Sequence, residues 1–253
     1  MEIISVLLCT YNEPLKYLKL SIESILSQTY TNIQLIIVND NPKRADMADL
    51  LAAYAREDSR INYIKKYPER MVLLKNKENR GLNYTLNRCL KMATGKYIAR
   101  MDADDIATKD RLEKQLEFLQ VKSYDMVGCN AIKIDENGKE IGYLNVPTAH
   151  EKIKEYQLYG GCVLHPTWLG KREVFEKLNG YRLVYACEDF DFILRVIQNG
   201  FKIGNMPAYG LYYRIRTESV SSKANIRQKL TMYYLIDNGA YQMFRLWKCW
   251  RNT

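Results

Sequence analysis

Long apolar runs are missing from this 253-residue sequence: nowhere do about 18 apolar residues follow one another, so no segment is expected to span a bilayer. The six cysteines, Cys9, Cys89, Cys129, Cys162, Cys187 and Cys249, form no Cys-x-x-Cys pair. That excludes a zinc knuckle and a dithiol redox site, and cysteines set beside apolar residues read as reduced core thiols of a cytoplasmic protein. The opening residues Met1-Glu2-Ile3-Ile4 lack the basic region and small-residue cleavage site of a signal peptide, which gives the same expectation. A P-loop is missing too, because Thr94-Gly95-Lys96-Tyr97 has neither the leading glycine nor a hydroxyl after the lysine. No basic motif or known nucleic-acid module is present, so no nucleic-acid partner is expected.

What is present points to one α/β domain with a C-terminal appendage. Thirty-eight Lys and Arg against twenty-nine Asp and Glu give a formal net charge of +9, which suits nucleic acid, an anionic membrane surface or a phosphorylated substrate, and charge alone does not choose among them. Ile3 to Cys9 is a nearly continuous apolar run, as in a strand covered on both faces, and it ends at Thr10-Tyr11-Asn12-Glu13. Pro14 suits the first turn of a helix whose Leu15, Leu18, Ile22, Ile25 and Leu26 share a face. A second buried strand, Ile33 to Val38, runs into Asn39-Asp40-Asn41-Pro42. Residues 46–66 read as mostly helical, although Ile61-Asn62-Tyr63-Ile64 alternates as a strand does. Met71 to Leu74 predicts a strand, followed by Asn79-Arg80-Gly81 and a helix with Leu82, Leu86, Cys89 and Leu90 on one face and Gly95 as its stop.

The stretch Tyr97 to Asp105 combines a β-prone run with three carboxylates, Asp102, Asp104 and Asp105, in four positions. In an open α/β sheet, carboxylates at a strand's carboxyl end face a ligand cleft, although an acidic helix cap explains the same residues. Thr108 is then the expected cap of a helix carrying Leu112, Leu116 and Leu119. Met126 to Cys129 and Ala131 to Ile134 predict two strands, and Glu136-Asn137-Gly138-Lys139 a hairpin leading to Ile141-Leu144. Alternating strands and helices give a mainly parallel sheet with antiparallel edge strands. A second acidic element, Glu188-Asp189, opens a helix marked by Phe190, Ile193, Leu194 and Ile197 and stopped by Gly200. Acidic residues are also favoured at helix starts by the macrodipole alone.

Taken together, Val6 to Glu13, Ile36 to Asp40, Asn79-Arg80-Gly81-Leu82, Met101 to Asp105 and Cys187 to Asp191 resemble, in order and spacing, the successive motifs of glycosyltransferase family 2. The resemblance covers roughly residues 3–220, and a segment like His165-Pro166-Thr167-Trp168 brings it nearest to bacterial enzymes of capsule and lipopolysaccharide O-chain synthesis. It implies the GT-A fold: a Rossmann-like, mainly parallel α/β sheet flanked by helices, with antiparallel edge strands and a C-terminal helical segment. It implies a catalytic domain over 1–222, with a nucleotide-sugar half to about 105 and an acceptor half beyond it, followed by 223–253. It implies transfer of one sugar, with inversion, from a nucleotide-sugar donor, usually a UDP-sugar, to a glycan acceptor.

In the residues that match, the resemblance assigns Thr10, Tyr11, Glu13, Asp40 and Arg80 to the nucleotide sugar, with a carboxylate suited to uracil N3–H. Asp102 and Asp104 match the Asp-x-Asp motif that binds a divalent cation, Mn²⁺ or Mg²⁺, on the diphosphate. Asp189 matches the catalytic base, with Glu188 in support. Arg216 stands where many relatives carry a histidine near the metal; arginine cannot ligate a cation but can grip a diphosphate with its planar fork, or lie on the surface. His165 is either an acceptor contact or a packed core histidine. Beyond Lys223, Ile226, Leu230, Tyr233, Tyr234, Tyr241, Phe244 and Trp247 interleave with Arg245, Lys248 and Arg251. Such a segment serves either a peripheral contact at the inner face of the plasma membrane, near a polyprenyl-diphosphate-linked acceptor, or packing on the catalytic core. A sugar nucleotidyltransferase is the less fitting alternative, since Thr10 to Glu13 has no glycine for a phosphate loop; a non-catalytic nucleotide-sugar sensor would not need Asp189.

Overall fold

The structure, a computed structural model, describes residues 1–44, 71–157, 159–216 and 228–237. The helix expected over 46–66, with its alternative strand at 61–64, lies outside them. The apolar runs form β1 (Ile4–Thr10), β2 (Ile33–Asn39), β3 (Met71–Lys75) and β4 (Tyr97–Asp102), all mutually parallel, in spatial order β3-β2-β1-β4. Helices α1 (Leu15–Leu26) and α2 (Leu82–Met92) connect them. Alternation along each strand divides the core. Ile4, Val6 and Leu8 of β1 pack with Leu18, Ile22 and Ile25 of α1 on one face. Leu7 packs with Ile36, Val38, Leu86 and Cys89 on the other. Burial on both faces is why these strands lack polar alternation.

Beyond β4 come β5 (Ile106–Ala107), α3 (Arg111–Val121), β6 (Met126–Ile134), β7 (Glu140–Leu144) and α4 (His150–Gln157). They are followed by a 3-10 turn at His165–Thr167, β8 (Leu169–Lys171), α5 (Arg172–Lys177), α6 (Glu188–Gln198) and β9 (Ile203–Arg214). Among the described residues these complete a nine-stranded sheet, β3-β2-β1-β4-β8-β6-β9-β5, with β7 on β6. Antiparallel pairing is not confined to the edges: three-residue β8 is antiparallel to both β4 and β6 in the interior, while β6 and β9 run parallel. The two strands expected over 126–134 are one, with a register break at Cys129–Ala131 opposite Met206–Tyr209. Pro207 in that break has no N–H for a ladder bond, which is where a bulge belongs.

Other sequence expectations need correction. Asp110, not Thr108, precedes the first residue of α3; Thr108 Oγ1 is spent on Asp110 and the Gly210 carbonyl. Helix α2 ends at Met92, before Gly95. A Cβ on Gly95 would lie 2.6 Å from the Ile3 carbonyl oxygen and 2.8 Å from the Ser5 nitrogen, so glycine is needed there for close backbone approach to β1. Gly200, at φ 77°, does close α6. In the helical residues 228–237 the packed face is Met232, Leu235 and Ile236, set on Cys187, Phe190 and Leu194. Leu230, Tyr233 and Tyr234 face outward, while Ile226 and residues 241–251 lie outside the described residues. Replacing Gly95 with alanine is expected to destabilise the protein by about 1–3 kcal/mol. Urea denaturation measures this, and an unchanged midpoint would contradict the close approach.

Candidate active site

Because β1, β2 and β4 are parallel, their carboxyl ends share one edge, with Thr10 opposite Asn39 and Cys9 opposite Asp102. The loop after β1 is folded by Glu13, whose Oε2 accepts from Thr10 Oγ1 and from the Tyr11 N–H, both at 2.7 Å. Arg44 Nη1 donates to Thr10 Oγ1 at 3.0 Å and lies 3.9 Å from Glu13. Tyr11 is exposed. Asp40, after β2, is buried and accepts from Asn76 Nδ2 (2.6 Å), the Arg80 N–H (2.9 Å) and the Gly81 N–H (2.8 Å). It thereby ties the turn before α2 to the sheet edge. Arg80 itself points outward, pairing with Glu78 at 2.8 Å and lying over the Tyr84 ring.

The three carboxylates after β4 divide. Asp105 is buried, its Oδ1 accepting from the Arg214 N–H at 2.8 Å. Asp102 and Asp104 are partly exposed: Asp102 is ion-paired to Arg100, and Asp104 Oδ2 accepts from Arg216 Nη1 at 3.0 Å. Arg214 Nε donates to the Asp104 carbonyl and Nη1 to the Asp135 carbonyl, with the guanidinium over Tyr17. The end of β9 thus buttresses the acidic turn. Burial, Asp102 and Glu13 push the Asp104 carboxyl up to about 6 despite Arg216.

Glu188 and Asp189 form the first turn of α6, and Asp189 Oδ1 accepts from the Phe190 N–H at 2.7 Å. Burial and the neighbouring Asp189 push Glu188 up to about 7, and burial raises Asp189 as well. Asp102 raises both carboxyls and Arg100 lowers both, so the start of α6 and the acidic turn share one electrostatic field. Asp191, fully buried, accepts from Arg182 Nε at 3.0 Å and Arg195 Nε at 2.8 Å. Arg195 also donates to the Leu178 and Gly180 carbonyls, fastening the preceding loop to the helix.

The profile described as Glycosyl transferase family 2 matches residues 5–178. The chain belongs to glycosyl transferase family 2. It is 33% identical over 239 residues to the O-antigen biosynthesis glycosyltransferase WbnJ of Escherichia coli, covering 93% of this chain and 88% of that protein. It is 35% identical over 237 residues to the uncharacterized glycosyltransferase MJ1057 of Methanocaldococcus jannaschii, covering 92% and 78%. In fold it is similar to S. aureus TarS 1-349, solved in complex with UDP-GlcNAc, at a TM-score of 0.65 and 18% identity, covering 93% of this chain and 65% of that one. The glycosyltransferase therefore has the GT-A-like architecture that its motifs implied.

In this family 2 transferase the sheet edge gathers Thr10, Glu13, Asp40, Asp102, Asp104 and Arg216, while the Arg80 side chain is turned away. His165 is buried, its Nε2 3.0 Å from the Tyr181 hydroxyl and its ring 4.4 Å from that of Trp168. Burial and then Arg100 hold it well below the usual histidine range. A neutral, enclosed imidazole packs the core and offers no surface to an acceptor. Sequence reasoning missed Arg100, Asn76 and Arg214. Arg100 had a signal: an arginine inside an apolar strand, two residues before Asp102, shares that aspartate's face.

Glu188 gives a signed pH prediction. Its folded value of about 7 exceeds the ordinary 4.5, so between these values the folded state holds a proton that the unfolded state has lost. The stability this contributes is complete below about pH 4.5 and is lost as pH rises through 7. Glu188→Gln is expected to be more stable than the parent by about 1–2 kcal/mol at pH 8, with most of the difference gone at pH 5. Urea titrations at both pH values check this, and a pH-independent difference would contradict it.

Proposed function

We propose that this glycosyltransferase moves one sugar, with inversion, from a UDP-sugar to a hydroxyl of a glycan acceptor in surface polysaccharide synthesis. The observation that carries the reading is the shared field of two acidic elements, Asp102–Asp104 at the carboxyl ends of parallel strands and Glu188–Asp189 on α6. The TarS complexes with UDP and with UDP-GlcNAc support the donor class, and the O-antigen role of WbnJ supports the product class.

The Thr10–Glu13 loop and Asp40 flank the nucleotide, and Arg80 can swing to it because its side chain is held only by exposed contacts, the ion pair with Glu78 and the Tyr84 ring. Asp102 and Asp104 would hold a Mn²⁺ or Mg²⁺ ion. Two carboxylates are few hard oxygens and would leave positions for phosphate and water. Besides burial, Asp102 and Glu13 raise the Asp104 carboxyl, and their negative charge is what such an ion would relieve. When bound, the ion would supply Lewis-acid stabilisation of the leaving diphosphate.

Asp189 takes the acceptor hydroxyl proton as the oxygen attacks C1 from the face opposite the diphosphate. The C1–O bond breaks with its electron pair leaving on the nucleoside diphosphate. A carboxyl raised by burial is a stronger base, and Glu188 stands beside it on the same first turn of α6. Arg216 grips the diphosphate once released from Asp104. Among the described residues no helix is long and apolar enough to cross a membrane, and the outward Leu230, Tyr233 and Tyr234 suit a peripheral contact near a lipid-linked acceptor.

The test is release and transfer by purified protein over a nucleotide-sugar panel, with Mn²⁺ or EDTA. One donor is expected to give metal-dependent nucleoside diphosphate, and Asp189→Asn to slow it about 10²–10⁴-fold with donor binding kept. Binding without turnover would favour a sensor, and neither binding nor turnover with any donor would overturn the reading.

A further inference from the structure

Arg100 is an interior residue of a strand that leads into an acidic turn. On β4, residues 98, 100 and 102 point to one side of the sheet. Ile98 packs in the core, Arg100 is 4% exposed, and Asp102 reaches the cleft. Arg100 stands beside Leu7 of β1, and Asp102 beside Cys9. Its backbone is held from two directions: the Arg100 N–H donates to the Trp168 carbonyl at 2.9 Å, and its own carbonyl accepts from Arg111 Nη2 at 2.7 Å. The guanidinium has Asp102 as its ion-pair partner through Nη1, and neither Nε nor Nη1 makes a hydrogen bond of ordinary geometry among the described residues. A buried cation with one carboxylate partner makes each depend on the other, because losing either strands an uncompensated charge.

We propose that Arg100 is a positioning residue for the transfer reaction: from beneath the sheet edge it fixes Asp102 for the cation–diphosphate of the donor. The proposal rests on the transferase reading given above. Arginine suits the task because it stays charged when buried, whereas lysine loses its proton more readily there. With one Asp102 oxygen turned to Arg100, the other remains for a ligand.

The experiment measures UDP binding with and without Mn²⁺ in the wild type, Arg100→Lys, Asp102→Asn and the double variant, all without turnover. Arg100→Lys is expected to weaken Mn²⁺-dependent UDP binding roughly 10–100-fold. It should leave Mn²⁺-independent binding within about twofold, and have little effect in the Asp102→Asn background. Equal losses in both backgrounds, or equal losses with and without Mn²⁺, would make Arg100 a structural residue and overturn the proposal. Failure of the wild type to bind UDP with Mn²⁺ would instead overturn the transferase reading. Should Arg100→Lys not fold, the melting temperature of Asp102→Asn decides: it is expected to fall below that of Asp104→Asn, whose partner Arg216 is partly exposed, and equal values would overturn the pairing.

Discussion

Negative charge crowded against the carboxyl ends of three parallel strands is the constraint on which the rest of this transferase depends. Two like charges about 4 Å apart at an effective dielectric near 20 repel by about 4 kcal/mol, a large share of a domain's net stability. Three aspartates within four positions, with Glu13 and the α6 carboxylates nearby, would be untenable alone. Two arginines compensate them with charge, Arg100 within β4 and Arg216 just after β9, and the Arg214 backbone N–H adds a hydrogen bond to Asp105. The compensation is incomplete: after burial, the neighbouring Asp102 and Asp189 carboxylates push Asp104 and Glu188 up further.

That incompleteness connects stability to function. A site neutralised by its own side chains would have no affinity left for a cation, whereas one without arginines would not fold around its charge. Asp105 is used entirely inside, against the Arg214 backbone, while Asp102 and Asp104 remain partly exposed. The same division runs through α6, where Asp191 is fully buried and locks the preceding loop through Arg182 and Arg195, while Asp189 stays partly exposed. Neighbouring carboxylates of one motif therefore do different work because they sit on different sides of the backbone.

Much of this was legible in the sequence. Strands buried on both faces carry unbroken apolar runs, so β1, β2 and β4 and the polar turns after them stood out, as did α6 with its i, i+3, i+4, i+7 pattern. What local pattern could not show was set by tertiary contact. Three-residue β8 is too short for any periodicity, and Gly95 looks like a helix stop until the β1 backbone lies against it. The tyrosine-rich run at 228–237 offers two plausible apolar faces, and only packing on Phe190 selects Met232, Leu235 and Ile236. His165 resembled a site residue because polarity was visible and its burial under Trp168 and Tyr181 was not.

A crystal structure with UDP and Mn²⁺ would test most directly whether the arginine-braced acidic turn is a donor site. The account predicts the ion between the diphosphate and the Asp102 and Asp104 carboxylates, with Arg216 moved from Asp104 to the phosphates and the Arg100–Asp102 pair intact. A nucleotide bound away from this edge, or at it with Asp102 turned from Arg100, would contradict the account.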